Sequence, residues 1–167
     1  IYGCYWMLLA SRLKDSGALR GGCIALCKSK DLINWSYEKP FYAPQMYVTM
    51  ECPEVFRMGE YWYLVYSTFS DCFTTHYRIA KSLDGPWMIP EDDVFDTRAD
   101  YAIKTASDGE HRYAFGWIAS KYGNCDFGPW EWGGTMVFHE LVQDQATGAL
   151  KVKVIPGVRD YYTKENE

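Results

Sequence analysis

Thr49-Met-Glu-Cys-Pro-Glu-Val-Phe56, followed across the turn Arg57–Glu60 by Tyr61-Trp-Tyr-Leu-Val-Tyr-Ser-Thr68, decides how the chain folds. The second run mixes aromatic and β-branched residues without helical spacing, which predicts a strand inside a sheet. Pro53 has no backbone N–H to give to a ladder, so it belongs at the entrance or edge of a strand. Glu51 is therefore expected at a strand mouth, facing a cleft. A carboxyl among Trp and Tyr rings is poorly hydrated, and this favours the protonated form a general acid needs. The plainer reading is a solvated loop carboxylate.

Outward from this stretch the chain reads as short strands joined by turns. Tyr5–Ser11, Cys23–Lys28 and an irregular Ser36–Pro44 precede it, and His76–Lys81 follows. Tyr101–Ser107, Arg112–Ile118, Thr135–Val142 and Leu150–Val154 complete the set. Tyr5-Trp6 recurs as Tyr61-Trp62, and Lys28-Ser-Lys-Asp…Trp35 as Lys81-Ser-Leu-Asp…Trp87. A third aromatic strand surrounds Tyr113. A four-stranded unit repeating at roughly 40–50 residues is the pattern of a β-propeller blade. The expectation is an all-β partial propeller of about three four-stranded antiparallel blades, at 1–48, 49–96 and 97–158, with a polar tail over 159–167. Propellers close with four or more blades, so three call for a complement.

With 48% hydrophobic and 17% aromatic residues, the 167-residue chain can build a core without disulfides or metal. A net charge of −5 and the lack of a long basic run argue against nucleic acid and anionic membranes as partners. No stretch reaches the roughly 20 apolar residues of a membrane span. The six cysteines form no CxxC pair, so no structural zinc site is expected, and free thiols in a reducing cytoplasm are the favoured reading. No signal peptide is visible, although Ile1 already lies in strand-like sequence without an initiator Met. Localisation is left unassigned beyond that preference.

Glu51-Cys-Pro-Glu54 resembles the Glu-Cys-Pro-Asp motif of family 32 glycoside hydrolases, the invertase, inulinase and levanase group. Ser29-Lys-Asp-Leu-Ile-Asn-Trp35 is similar to that family's Ser-x-Asp-Leu-x-x-Trp connector, and Asp100-Tyr-Ala-Ile-Lys-Thr105 to its Asp-Phe-Tyr-Ala segment. Phe115-Gly-Trp117 and Trp132-Gly-Gly-Thr-Met-Val-Phe-His-Glu-Leu141 resemble its Gly-Trp strand and its Trp-Ala-Gly-Ala…Pro-Arg-Glu-Leu element. The motifs stand in the family's order, up to about Pro156. The resemblance implies a five-bladed propeller and retaining hydrolysis of fructosyl linkages, with no cofactor. It makes Glu51 the general acid/base. Cys52 either lines the sugar site or is a buried small hydrophobe. Tyr101 and Trp132 wall the sugar or pack the blades.

The chain departs from the family in having no Asn-Asp-Pro-Asn and no Arg-Asp-Pro motif, which carry the nucleophile and the transition-state-stabilising Asp and lie N-terminal to this segment in the family. His139 and Phe138 stand where Arg and Pro are usual. The chain thus reads as the last three blades, inactive alone, with the first two blades or a second copy as partner. The rival reading is a sugar-binding or interaction propeller without catalysis; Asn-Asp-Pro and Arg-Asp-Pro motifs upstream would favour the enzyme. Of the remaining polar residues, Glu54 is expected on another face than Glu51, and Glu91-Asp-Asp93 as a solvated loop. Asp71 and Asp126 lie in predicted loops that could reach the mouth of the site, with hydrated loop carboxylates the favoured reading. His76, His111 and His139 show no metal-ligand spacing, and His76, near a loop that could face the sugar, is read as structural.

Overall fold

The computed structural model describes residues 2–96 and 98–163. Among the described residues, ten strands form three antiparallel sheets. The first contains β1 (Tyr5–Arg12), β2 (Gly22–Ser29) and β3 (Ser36–Tyr42). The second contains β4 (Glu51–Met58), β5 (Tyr61–Thr68) and β6 (Thr74–Ala80). The third contains β7 (Asp100–Ser107), β8 (Arg112–Lys121), β9 (Trp130–Gln143) and β10 (Leu150–Lys153), in that spatial order. Of the leading strands, β4 lies against both β1 and β7. This radial arrangement of meandering sheets is that of consecutive propeller blades, with no closed barrel.

Two of the blades depart from the four-stranded expectation. Beside β6 the fourth strand is reduced to two bridges, His76–Val94 and Ile79–Met88. Pro86 and Pro90 interrupt that segment, and a proline cannot donate to a ladder. Residues 43–50 form no strand outside β3. The third blade has all four strands.

The aromatic run read as a strand becomes β5, buried at every position except Trp62. Phe56, Tyr63, Val65 and Tyr77 pack with Ile103, Ala114 and Leu141 of the third sheet in the largest apolar cluster. Tyrosine hydroxyls close this joint. Tyr63 donates to the Gly148 carbonyl at 2.7 Å, and Tyr61 to that of Ala146 at 2.9 Å. Both acceptors lie in the β9–β10 turn. Such placement keeps the large rings dry while their polar ends are satisfied.

The joint between the first and second blades is built on Arg78, whose side chain is fully buried. Its guanidinium donates to the Tyr42 and Tyr47 hydroxyls at 3.1 and 3.0 Å and to Asp93 at 2.5 Å. Asp93 is therefore no solvated loop residue: a buried cation needs a paired anion, and Asp93 supplies it. The Ser29–Trp35 connector is a tight turn organised by Asp31, which accepts from the Ile33 and Asn34 amides.

No disulfide joins the cysteines. Residues 156–163 form the short helix α1 (Pro156–Thr163), where the sequence reading placed the start of a polar tail; the tail's last residues, 164–167, lie outside the described residues. No helix among the described residues is long and apolar enough to cross a membrane.

Candidate active site

The site rests on two irregularities placed side by side. In β4, Glu51 pairs with Ser67 and Glu54 with Val65, so one extra residue is inserted at Cys52-Pro53. In β7, Tyr101 pairs with Trp117 and Lys104 with Phe115, which inserts one residue at Ala102-Ile103. Each bulge contains a non-glycine residue in the left-handed region, Cys52 at φ 48° and Ala102 at φ 55°. Pro53 explains the first bulge, since it could not have filled a ladder position.

The bulge overturns the expectation that Glu51 and Glu54 face different ways. Three residues apart on a regular strand, they would point to opposite faces. One inserted residue puts them on the same side. Both carboxylates reach β7. Tyr101 donates its hydroxyl to Glu51 Oε2 at 2.6 Å. Glu54 accepts from the Thr105 amide at 2.8 Å and from the Thr105 hydroxyl at 2.6 Å.

Each bulge leaves backbone groups without ladder partners, and side chains satisfy them. The Lys104 ammonium donates to the Cys52 and Pro53 carbonyls at 2.8 and 3.0 Å. The Ala102 amide donates to Ser67 Oγ at 3.0 Å and the Ile103 amide to Thr75 Oγ1 at 3.4 Å. Thr75 spends its one hydroxyl hydrogen on the Asp100 carbonyl at 3.1 Å. In the 2.8 Å contact between the two hydroxyls, Ser67 is therefore the donor. Ser67 and Thr75 are fully buried and carried no signal in the sequence. Their role depends on which backbone amides the bulge orphans.

Beside Glu51 stands a cluster of aromatic rings. Phe73 stacks on Tyr101 with centroids 4.4 Å apart and on Trp130 at 5.9 Å. Trp132, 65% exposed, lies edge-on to Tyr101 at 5.7 Å and also contacts Phe69, Phe73 and Trp117. Burial, and then the hydrogen bond to Glu51, raise the Tyr101 phenol above its ordinary range. Tyr101 thus stays a donor at neutral pH. The structure brings Glu51, Tyr101 and Trp132 together. Cys52 is half-buried next to them. The contributions of Phe73, Trp117 and Lys104 were not read from the sequence. A flat apolar wall beside a carboxyl held by a phenol can stack a sugar ring and exchange a proton with its oxygen.

The other polar residues are arranged differently. Asp71 accepts from Thr68 and lies 2.7 Å from His76 Nε2, while His76 Nδ1 is 3.0 Å from Asp93. Burial pushes the Asp71 carboxyl up, but the His76 and Thr68 bonds outweigh it and hold it at about 2. Burial likewise lowers His76, and its two carboxylate partners reverse that, leaving it raised. Asp71 is thus exposed to solvent, as expected of a loop carboxylate, and is also tied through Thr68 and His76 into a network beside the site. Asp126 is exposed. His111 pairs with Glu140 at 3.1 Å. His139 lies near Asp96 and Asp100. One surface cavity is lined by residues between Cys4 and Glu38, none of them in the Glu51 cluster.

The fold is shared with solved enzymes of low sequence identity. The Bombyx mori GH32 β-fructofuranosidase BmSUC1 superposes with a TM-score of 0.69 at 18% identity, over 96% of this chain and 36% of that one. Fructan 1-exohydrolase IIa from Cichorium intybus gives 0.66 at 16%, over 95% and 34%. Zg3597, a family 117 glycoside hydrolase from Zobellia galactanivorans, gives 0.61 at 16%, over 95% and 54%. The chain thus spans about a third of the length of the first two. No curated protein sequence matches. The sequence profile of the glycosyl hydrolases family 32 N-terminal domain matches residues 2–150. Residues 2–150 are nearly the whole chain, and with the blade architecture behind them this protein belongs to glycosyl hydrolase family 32.

Proposed function

We propose that this chain supplies the general acid/base and part of the sugar-binding wall of a retaining glycoside hydrolase acting on fructosyl linkages. The observation that carries the reading is the Glu51 carboxyl, hydrogen-bonded by Tyr101 at 2.6 Å, beside a partly exposed aromatic wall. In this reaction Glu51 protonates the leaving oxygen while a second carboxylate attacks the anomeric carbon. Glu51 then takes the proton of the water that releases the sugar. Retention requires the two carboxyls about 5–5.5 Å apart. The Asn-Asp-Pro motif that carries the family's nucleophile does not occur in these 167 residues, so we assign the second carboxylate to blades outside this stretch.

Tyr101 and Trp132 wall the sugar, and Cys52 borders it through its place beside Glu51. A fructosyl substrate is supported by the neighbours, since a point mutant of the Bombyx mori enzyme was solved in complex with sucrose and a glutamate-to-glutamine form of the Cichorium intybus enzyme in complex with 1-kestose.

The test is Glu51→Gln in the enzyme assembled with its remaining blades. Turnover of sucrose is expected to fall about 10²–10⁴-fold, as for loss of a general acid/base. A substrate with an activated aryl leaving group should lose far less, because its departure needs no proton. An equal loss on both substrates, or normal turnover, would overturn the assignment.

A further inference from the structure

Of the buried charged side chains, Asp100 is the one left uncompensated among the described residues. Arg78 has Asp93, His76 has Asp71 and Asp93, and Glu140 has Lys153 at 2.9 Å. Asp100 is 2% exposed, and neither carboxylate oxygen has a hydrogen-bond partner. An isolated buried carboxylate is strongly disfavoured unless it is protonated, paired or bound to a cation. Glycine at 116 makes room for it: a Cβ there would meet Asp100 Oδ1 at 2.5 Å.

The groups facing Asp100 define what it could bind. His139 Nε2 lies 4.0 Å from Asp100 Oδ2 and 3.1 Å from Asp96 Oδ2. One atom from each of the three residues falls within 4.8 Å of the others. Neither ring nitrogen of His139 has a hydrogen-bond partner, so the nearby Asp96 oxygen stands beside the Nε2 axis and not along it. A second ligand to a shared ion takes that position. Ligands held about 2.0–2.1 Å from a tetrahedral zinc ion are about 3.3 Å apart. The 3.1 Å separation already matches, and the 4.0 Å one requires a contraction of less than an ångström.

We propose that Asp96, Asp100 and His139 form a binding site for a divalent transition-metal ion of the zinc type. Two carboxylates and a neutral imidazole balance the ion's charge. The imidazole favours zinc-like ions over calcium and magnesium, which prefer all-oxygen shells. Burial, with Asp96 nearby, pushes the Asp100 carboxyl up to about 7, a shift that a bound cation would reverse. Asp96 is 38% exposed at its side chain and leaves a path for the ion to enter. The three ligands come from the segment leading into β7 (Asp96), from the first residue of β7 (Asp100) and from β9 (His139), so the ion would pin the start of β7, next to Tyr101, against β9. Nothing in the sequence spacing marks this site, because Asp96 and His139 are far apart along the chain and meet only through the β7–β8–β9 meander.

The test is calorimetric titration of the purified, chelator-treated chain with ZnCl2, with thermal melting alongside. We expect one zinc per chain and a raised melting temperature, with little response to MgCl2 or CaCl2. Asp100→Asn and His139→Gln should each weaken zinc binding by at least about 10–100-fold, more than loss of an outer-shell partner does. Asp100→Asn without zinc should melt no lower than the parent, since it removes the uncompensated charge. The proposal is overturned if zinc neither binds nor raises the melting temperature. It is also overturned if both variants bind zinc as the parent does, or if Cys72→Ser, in the other cluster of possible ligands (Asp71, Cys72 and His76), abolishes uptake that Asp100→Asn leaves intact. If Asp100→Asn does not fold, His139→Gln alone decides between these results.

Discussion

The leading strands of the three blades are built to two different plans. β1 pairs with β2 in unbroken register from Tyr5–Ser29 to Arg12–Gly22 and holds no residue of the Glu51 cluster. β4 and β7 each break register once, near their entering ends, with a left-handed non-glycine residue in the break. Glu51 and Tyr101 sit immediately before these breaks. A regular strand sends neighbours to opposite faces, and a bulge re-aims one side chain without changing the rest of the sheet. The difference teaches where this fold has given up local backbone comfort: at the two strand mouths that bring a carboxyl and a phenol together.

Removing the groups that hold the bulges should have the largest effect on stability. Lys104→Met leaves the Cys52 and Pro53 carbonyls without their donor; we expect a loss of about 2–3 kcal/mol in denaturant unfolding, as for charge-assisted hydrogen bonds. The same measurement on Lys28→Met, in the regular β1–β2 pair, should show less than half of that. Tyr101→Phe keeps the ring stack on Phe73 but removes the hydroxyl from Glu51. It should lower kcat in the assembled enzyme about tenfold, the equivalent of about 1.4 kcal/mol, with little change in unfolding.

A finer comparison uses one chemical change at two sites. Ala10→Gly, in regular β1, should destabilise by about 0.5–1 kcal/mol through lost strand propensity. Ala102→Gly, at φ 55°, should stabilise by about 0.4–1 kcal/mol because glycine adopts that conformation without strain. For a chain of this size these are shifts of about 1–4 °C in opposite directions. Shifts of the same sign would mean that the β7 bulge stores no strain.

The smallest effect concerns pH and the network behind the site, where His76 faces Asp71, Asp93, Tyr47 and Tyr66, and Arg78 faces Asp93. Asp71 is held at about 2 against an ordinary 3.8, so its contribution is present above 3.8 and lost as pH falls through about 2. His76 is raised from 6.5, so its contribution is present below 6.5 and lost as pH rises through its folded value. The stabilisation this network contributes should therefore be greatest between about 4 and 6.5, and His76→Gln should flatten its loss on the alkaline side of the melting profile.

Much of this arrangement was legible in the sequence. Aromatic alternation over Tyr61–Thr68 gives the central strand, and the recurring Tyr-Trp and Lys-Ser-x-Asp patterns give the blades. Pro53 places Glu51 at a strand mouth. The extra residue in each inner strand was not legible, because register depends on the partner strand. For that reason Glu54 was expected on the wrong face, and Lys104, Ser67 and Thr75 went unremarked. Asp93 was read as solvent-exposed because its partners, Arg78 and His76, lie on another strand. Helix α1 is too short to show a period and buries none of its residues.

The central claim is that two glutamates on one face of β4 divide their work, Glu51 for proton transfer and Glu54 for holding β4 to β7. The most direct test measures sucrose turnover and unfolding free energy for Glu51→Gln and Glu54→Gln in the assembled enzyme. The account predicts that Glu51→Gln loses about 10²–10⁴-fold in kcat with nearly parental stability, whereas Glu54→Gln loses about 1–2 kcal/mol and keeps turnover within about tenfold. Comparable turnover losses in the two variants, or a larger loss in Glu54→Gln, would contradict it.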